Sequence, residues 1–181
     1  MNARIQAALK KKKTDDFLNA LRAAFNYSVP DDLERIGSDG KLAVLCDCFA
    51  FEMFSGGYLQ VVDNLPEWAN DILQSLRRIN AVPYAEGFAR ILRIAKANRL
   101  APYSDTEWWD YLEAHPGFEQ ETYRDYARAV DVVAERLREY IQKHEATFGA
   151  GHTAQQAAPP NRRPARPSAI RKSKRGRWSV S

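Results

Sequence analysis

The side chains that could do chemistry in this sequence are charged groups sorted along the chain, not a nucleophile beside its base. Residues 105–145 hold 11 acids against five bases. Among them Asp131, Glu135 and Glu139 recur at i, i+4 and i+8. On a helix that spacing sets them on one face, with about 6 Å of rise between neighbours. Asp105, Glu107, Asp110 and Glu113 make a second acidic group. A row of carboxylates has two uses. It can engage the basic groups of a partner, or it can be a solvated face paired with its own cations. Arg128, Arg136, Arg138 and Lys143 are interleaved with the acids and supply the second reading with partners.

The end of the chain has the opposite sign. Arg162, Arg163, Arg166, Arg171, Lys172, Lys174, Arg175 and Arg177 fall within residues 149–181, where no acid occurs. Cations on a flexible segment neutralise phosphates and release counterions, and Trp178 adds a ring on which an unpaired base stacks. The pattern is unspecific. Two other readings stand beside weak nucleic-acid binding: the tail folds back on an acidic body, or it only solubilises the chain.

Nothing else forms a reactive set. His115, His144 and His152 are scattered, none three or four residues from another, so they make no metal site. Gly56-Gly57 lacks the lysine and the preceding strand of a phosphate cradle. No serine lies in a nucleophile elbow. Cys46 and Cys48 stand two apart in an apolar run, and residues so spaced on a helix do not face each other. They read as reduced, buried thiols of a reducing compartment. The expectation is a protein that is no enzyme and uses no cofactor or metal.

Net charge sharpens the partition. The chain is +4 overall, yet residues 1–148 hold 19 bases and 23 acids. Arg4 and Lys10–Lys13 account for five of those bases, which leaves residues 14–148 at 14 against 23, a net of −9. An acidic body therefore lies between a basic segment at 1–13 and a basic tail at 149–181. The N-terminus places its lysines after the weakly apolar residues, the reverse of a secretory signal, and no run of about 18 uncharged apolar residues is present. A cytoplasmic protein without a membrane partner is expected.

These charges need elements to hold them, and the apolar periodicity supplies helices. Thr14 reads as a cap before Asp15 and Asp16, with Phe17, Leu18, Leu21, Ala24 and Phe25 on one face and Pro30 as the stop. After a turn at Ser38-Asp39-Gly40, Leu42 to Phe54 is apolar nearly all round, the pattern of a central buried helix, and Gly56-Gly57 breaks it. Asn64 reads as the cap of a helix that carries Trp68, Ile72, Leu73, Leu76 and Ile79. Pro83 opens another, with Phe88, Ile91, Leu92 and Ala95. Ser104 and Glu107 form a capping box for a helix with Trp108, Trp109 and Leu112. A last helix spans roughly 118–148, with Tyr126, Val130, Val133, Leu137, Ile141 and His144 as its packing stripe. The prediction is an all-α domain of about six to eight helices with a disordered tail, since residues 149–181 hold too little apolar surface to offset the entropy of ordering them.

One stretch carries a resemblance. Glu52, Gly56, Gly57, Tyr58, Gln60 and Asn64, followed by Ile79-Asn80-Ala81 at a helix end, stand at the offsets of the central motif of the bacterial DNA-mimic protein C-terminal domain family. Phe54 and Ser55 replace its usual polar pair, and Asn80 replaces a glycine at a left-handed cap that Asn tolerates. The motif residues look like fold determinants: two glycines for a tight corner, an aromatic for the core, an Asn cap. The resemblance is carried by residues 43–81, extends more loosely to about residue 148, and includes neither the tail nor the first dozen residues. It implies a dimeric all-α protein whose acidic surface imitates DNA and occupies a DNA-binding regulator. The first reading is thus a non-catalytic protein-binding domain, and the alternative is a nucleic-acid-associated protein that binds through its tail.

Overall fold

The computed structural model describes residues 3–25, 33, 36–100, 105–118 and 126–150. Among these the ordered elements are α1 (Ala3–Leu9), α2 (Thr14–Phe25), α3 (Gly37–Asn64), a 3-10 turn (Pro66–Trp68), α4 (Ala69–Arg78), α5 (Val82–Ala97), α6 (Asp105–Ala114), α7 (Tyr126–Lys143) and α8 (Thr147–Ala150). No strand occurs among them, so the fold is all-α.

The apolar run at the middle of the sequence becomes the axis of the molecule. Leu42, Ala43, Val44, Leu45, Cys46, Phe49, Ala50 and Met53 are buried, and α3 packs most extensively on α7, then on α4, α5 and α2. By length and hydropathy alone α3 is able to cross a membrane; here most of it is covered by its neighbours. Asp39 near the start of α3 meets Tyr140 near the end of α7, so these two helices run antiparallel. α1 lies within the segment that charge sets apart, with Ile5 and Ala8 buried and packed on α2.

At the Gly56-Gly57 pair the backbone leaves the helical region, so α3 is two helical arms joined at a kink. Gly56 has φ −170° and ψ 19°, and Gly57 has φ 72° and ψ −162°. A side chain at Gly57 would clash with its own backbone, so glycine is required there. A Cβ on Gly56 would sit 2.8 Å from Gln60 Oε1. The corner turns Tyr58 inward, where it stacks on Phe88 at 6.3 Å while Phe49 meets Phe88 edge-on at 5.7 Å. Each such ring pair adds about 0.5–1.5 kcal/mol to what burial supplies. Gly87 makes room for this: a Cβ there would collide with the Tyr58 hydroxyl.

Helix α4 ends as its sequence implies. Asn80 takes φ 61°, its N–H bonds Arg77 C=O at 3.0 Å, and Ala81 N–H bonds Leu76 C=O at 2.9 Å. This is the paired bonding of a Schellman cap, with Asn in the place glycine usually fills. Arg99, at φ 53°, closes α5 in the same way through Leu100 N–H to Ala95 C=O at 2.9 Å.

Several boundaries differ from the sequence reading. Ser38-Asp39-Gly40 is the first turn of α3 and not a turn before it. Phe51 and Phe54, read as part of an all-round buried helix, are 55% and 66% exposed, because α3 has neighbours on only some of its faces. Asn64 is the last residue of α3 and caps nothing; its side chain reaches back to Glu52. The Thr14 hydroxyl donates to Asp131 across to α7, not to its own helix. The last long helix stops at Lys143, since residues 144–146 form a turn before α8; Tyr126 is exposed instead of joining the stripe, and residues 119–125 lie outside the described residues. α8 runs to Ala150, just past the boundary that composition sets. Ser104 and the tail beyond Ala150 lie outside the described residues.

Candidate functional site

The acidic row on α7 is placed by the apolar stripe on its other side. Ala129, Val133, Ala134, Leu137 and Ile141 are buried against the bundle, which turns Asp131, Glu135 and Glu139 outward, all exposed. Their local partners are few. Asp131 accepts a 2.6 Å hydrogen bond from the Thr14 hydroxyl. Glu139 pairs with Arg136 at 2.8 Å. Arg138 is turned away from the acids and lies over the Phe17 ring at 4.5 Å. Glu135, in the middle of the row, has no ion-pair partner among the described residues. The self-neutralisation that the interleaved arginines imply is therefore partial. Lys10–Lys13 are exposed immediately before Thr14, so the Asp131 end of the row has cations close by.

The second acidic group sits on α6. Glu107, Asp110 and Glu113 are exposed, and the side chain of Asp105 lies outside the described residues. Trp108 is buried and meets Tyr111 edge-on at 6.2 Å, while Tyr111 also packs on Phe118 at 5.5 Å and on the exposed His115 at 4.2 Å. Trp109 is left 57% exposed among the acids. The two acidic groups stay on separate helices.

The motif residues converge on the α3 corner. Asn64 Nδ2 donates to Glu52 Oε2 at 2.7 Å, which clamps the two arms of α3 across the glycine pair. Partial burial pushes the Glu52 carboxyl up from its usual range; the Asn64 hydrogen bond opposes this, and the nearby Asp63 charge adds to it. With Tyr58 in the core and Gln60 folded against Gly56, each of these residues shapes the corner.

Two charged clusters escape the sequence reading. Asp47 is 2% exposed, and Arg22 grips it with both prongs of its guanidinium, Nε at 2.5 Å and Nη2 at 2.7 Å. A lone acid between Cys46 and Cys48 in an apolar run was the available signal, since such a carboxylate needs a partner when buried. Arg78 joins three helices, with Nη2 at 3.0 Å from Asp39 Oδ1 and 2.6 Å from the Tyr140 hydroxyl. Burial pushes the Tyr140 phenol up, Asp39 reinforces this, and Arg78 opposes it. No sequence spacing links these three positions.

The remaining candidates read as structure. His144 stacks on Tyr140 at 4.1 Å with Nδ1 at 2.9 Å from the Tyr140 carbonyl, a packed, half-buried ring. His152 lies outside the described residues, as do Arg162, Arg163, Arg166, Arg171, Lys172, Lys174, Arg175, Arg177 and Trp178. Cys46 is fully buried, and burial, with Asp47 and Cys48 adding to it, drives its thiol pKa up and keeps it un-ionised. Among the described residues no group of three His, Cys, Asp or Glu side chains is placed to hold a metal ion.

A family model described as DMP19-like protein matches residues 34–144, well over half of the chain. The chain belongs to the DMP19-like family. No curated protein and no solved structure matches it. The DMP19-like match takes in the clamped corner of α3 and all of α7, including Asp131, Glu135 and Glu139. It agrees with the resemblance that the Glu52–Asn64 motif carries, the family being that of DNA mimic protein 19. α1 and α2 fall outside the matched residues, although α2 supplies Arg22 and Thr14.

Proposed function

We propose that this DMP19-like chain acts without catalysis, presenting the outer face of α7 to a basic DNA-binding regulator in the bacterial cytoplasm. The observation that carries the reading is the exposed row Asp131, Glu135 and Glu139 on a helix whose opposite face is locked into the core. Successive carboxylates rise by about 6 Å, a separation of the same order as that of phosphates along a nucleic-acid strand. A packed helix holds that spacing before a partner arrives, so little ordering entropy remains to be lost on binding. Arginine side chains that fit phosphates also fit carboxylates in the same forked geometry.

Local pairing does not block the face. Glu139 is held by Arg136 in an exposed pair, and such pairs contribute about 0–1 kcal/mol, so a partner's arginine displaces it at small cost. Glu135 is available without displacing an ion pair among the described residues. From the family resemblance we further propose a homodimeric working form, which sedimentation of the full chain would read directly.

The test is capture from nuclease-treated bacterial lysate on the immobilised full chain, beside a variant with Asp131→Lys, Glu135→Lys and Glu139→Lys. A basic regulator held by the wild type, lost by the variant and released by added duplex DNA supports the reading. Equal retention by both proteins, or retention that duplex DNA does not disturb, would sink it.

A further inference from the structure

We propose that the basic C-terminal segment, residues 162–177, docks in cis along the outer face of α7 and competes there with the basic partner. This inference rests on the reading of that face as the working surface, and it supplies that surface with a built-in competitor.

Phe148 is buried, packed on Tyr140 at 6.1 Å and on Phe25 at 6.4 Å, and the Thr147 hydroxyl bonds the His144 carbonyl at 2.9 Å. The chain past Ala150 therefore starts from an anchored point at the C-terminal end of α7, beside the face in question. The tail also has the reach. Eleven residues lie between Ala150 and Arg162, enough to extend roughly 40 Å. The face from Lys143 back to Asp131 is only about 18 Å long. The segment carries eight cations and no acid with which to neutralise itself. Facing it on α7 and just beyond are Glu145, Glu139, Glu135 and Asp131, all exposed.

The structure also says where along the face the contact concentrates. Lys10–Lys13 are exposed just before Thr14, the residue that bonds Asp131. Like charge repels the tail there, so Glu135, Glu139 and Glu145 take the larger share. A segment tethered this closely acts at an effective concentration in the millimolar range. Weak basic competitors are excluded by it, and only a partner that binds the row strongly displaces it.

The experiment uses the full chain at low concentration and a carbodiimide that couples lysine amines directly to carboxylates in contact with them. At about 20 mM salt, where screening is weak, amide links should join Lys172 or Lys174 to Glu135, Glu139 or Glu145 within one chain. They should disappear at about 0.5 M salt and in the Glu135→Gln, Glu139→Gln, Glu145→Gln variant. Links that go only to α6, that join only two different chains, or that do not form at all overturn the proposal. A labelled oligo-arginine peptide then reads competition. A variant with all eight tail cations changed to Gln should bind it at least about fivefold tighter than wild type, and equal affinity overturns the competition. Links in cis without any peptide binding by either protein uphold the docking and sink the partner-binding role of the face, so the two failures are distinguishable.

Discussion

Replacing Arg22 by Met should destabilise the protein more than replacing its partner Asp47 by Asn. The two ends of this ion pair differ in exposure: Asp47 has 3% of its side chain exposed and Arg22 has 36%. Without Asp47 the guanidinium still reaches water and keeps Asn19 Oδ1 at 3.2 Å and the Phe51 ring at 5.8 Å. Asp47→Asn therefore costs about 1–2 kcal/mol, mainly a lost charge-assisted hydrogen bond. Without Arg22 the buried Asp47 carboxylate loses two charge-assisted hydrogen bonds at once, which costs about 3 kcal/mol. The double variant Arg22→Met, Asp47→Leu removes both charges of the pair and should recover part of the loss, since an apolar pair of similar volume often serves a core as well as a buried ion pair. Urea unfolding of the full-length proteins, followed by far-ultraviolet circular dichroism, measures all three. Equal losses from the two single changes, or a larger loss from Asp47→Asn, would refute the argument from exposure.

The other predictions concern the corner and a cap. Gly87→Ala should cost about 1–2 kcal/mol, overpacking against Tyr58 outweighing the gain in helix propensity, and in a Tyr58→Phe background the cost should shrink because the hydroxyl is gone. Thermal melts of the two pairs give the difference. Glu52 binds its proton more tightly when folded, so its ionised form opposes folding above the raised pKa and the penalty fades below the usual value of 4.5. Glu52→Gln, which keeps an acceptor for Asn64, should melt above wild type at pH 7, with the gap closing as the pH falls to 4. Arg99→Gly relieves a left-handed conformation at an exposed helix end and should stabilise by about 0.5–1 kcal/mol after the entropy of glycine is counted. A midpoint in urea at or below that of wild type would count against the strain at Arg99.

The helices were legible wherever a local rule governed them. The periodicity of Ile72, Leu73, Leu76 and Ile79 placed a buried face correctly, and Asn80 was readable as a left-handed cap because that conformation depends on a single residue's sterics. Asn64 misled the same reasoning. A capping residue is recognised by its neighbours in sequence, but its side chain bonds whichever group is nearest in space, and the bent helix brought Glu52 there first. Phe51 and Phe54 misled it too, because apolarity all round a helix says nothing of which faces find partners.

For the candidate site the division follows the same line. The sequence alone determined the all-α class, the glycine corner, the split between an acidic body and basic ends, and the row Asp131, Glu135, Glu139 on one helical face. Each of these follows from composition or from a period of 3.6 residues, which are local properties. Only the tertiary structure decided that Thr14 holds Asp131, that Arg138 turns to Phe17, and that Glu135 keeps no ion-pair partner among the described residues. Those outcomes depend on how α2 and α3 pack against α7, and contacts between groups more than 100 residues apart leave no spacing in the sequence from which to read them.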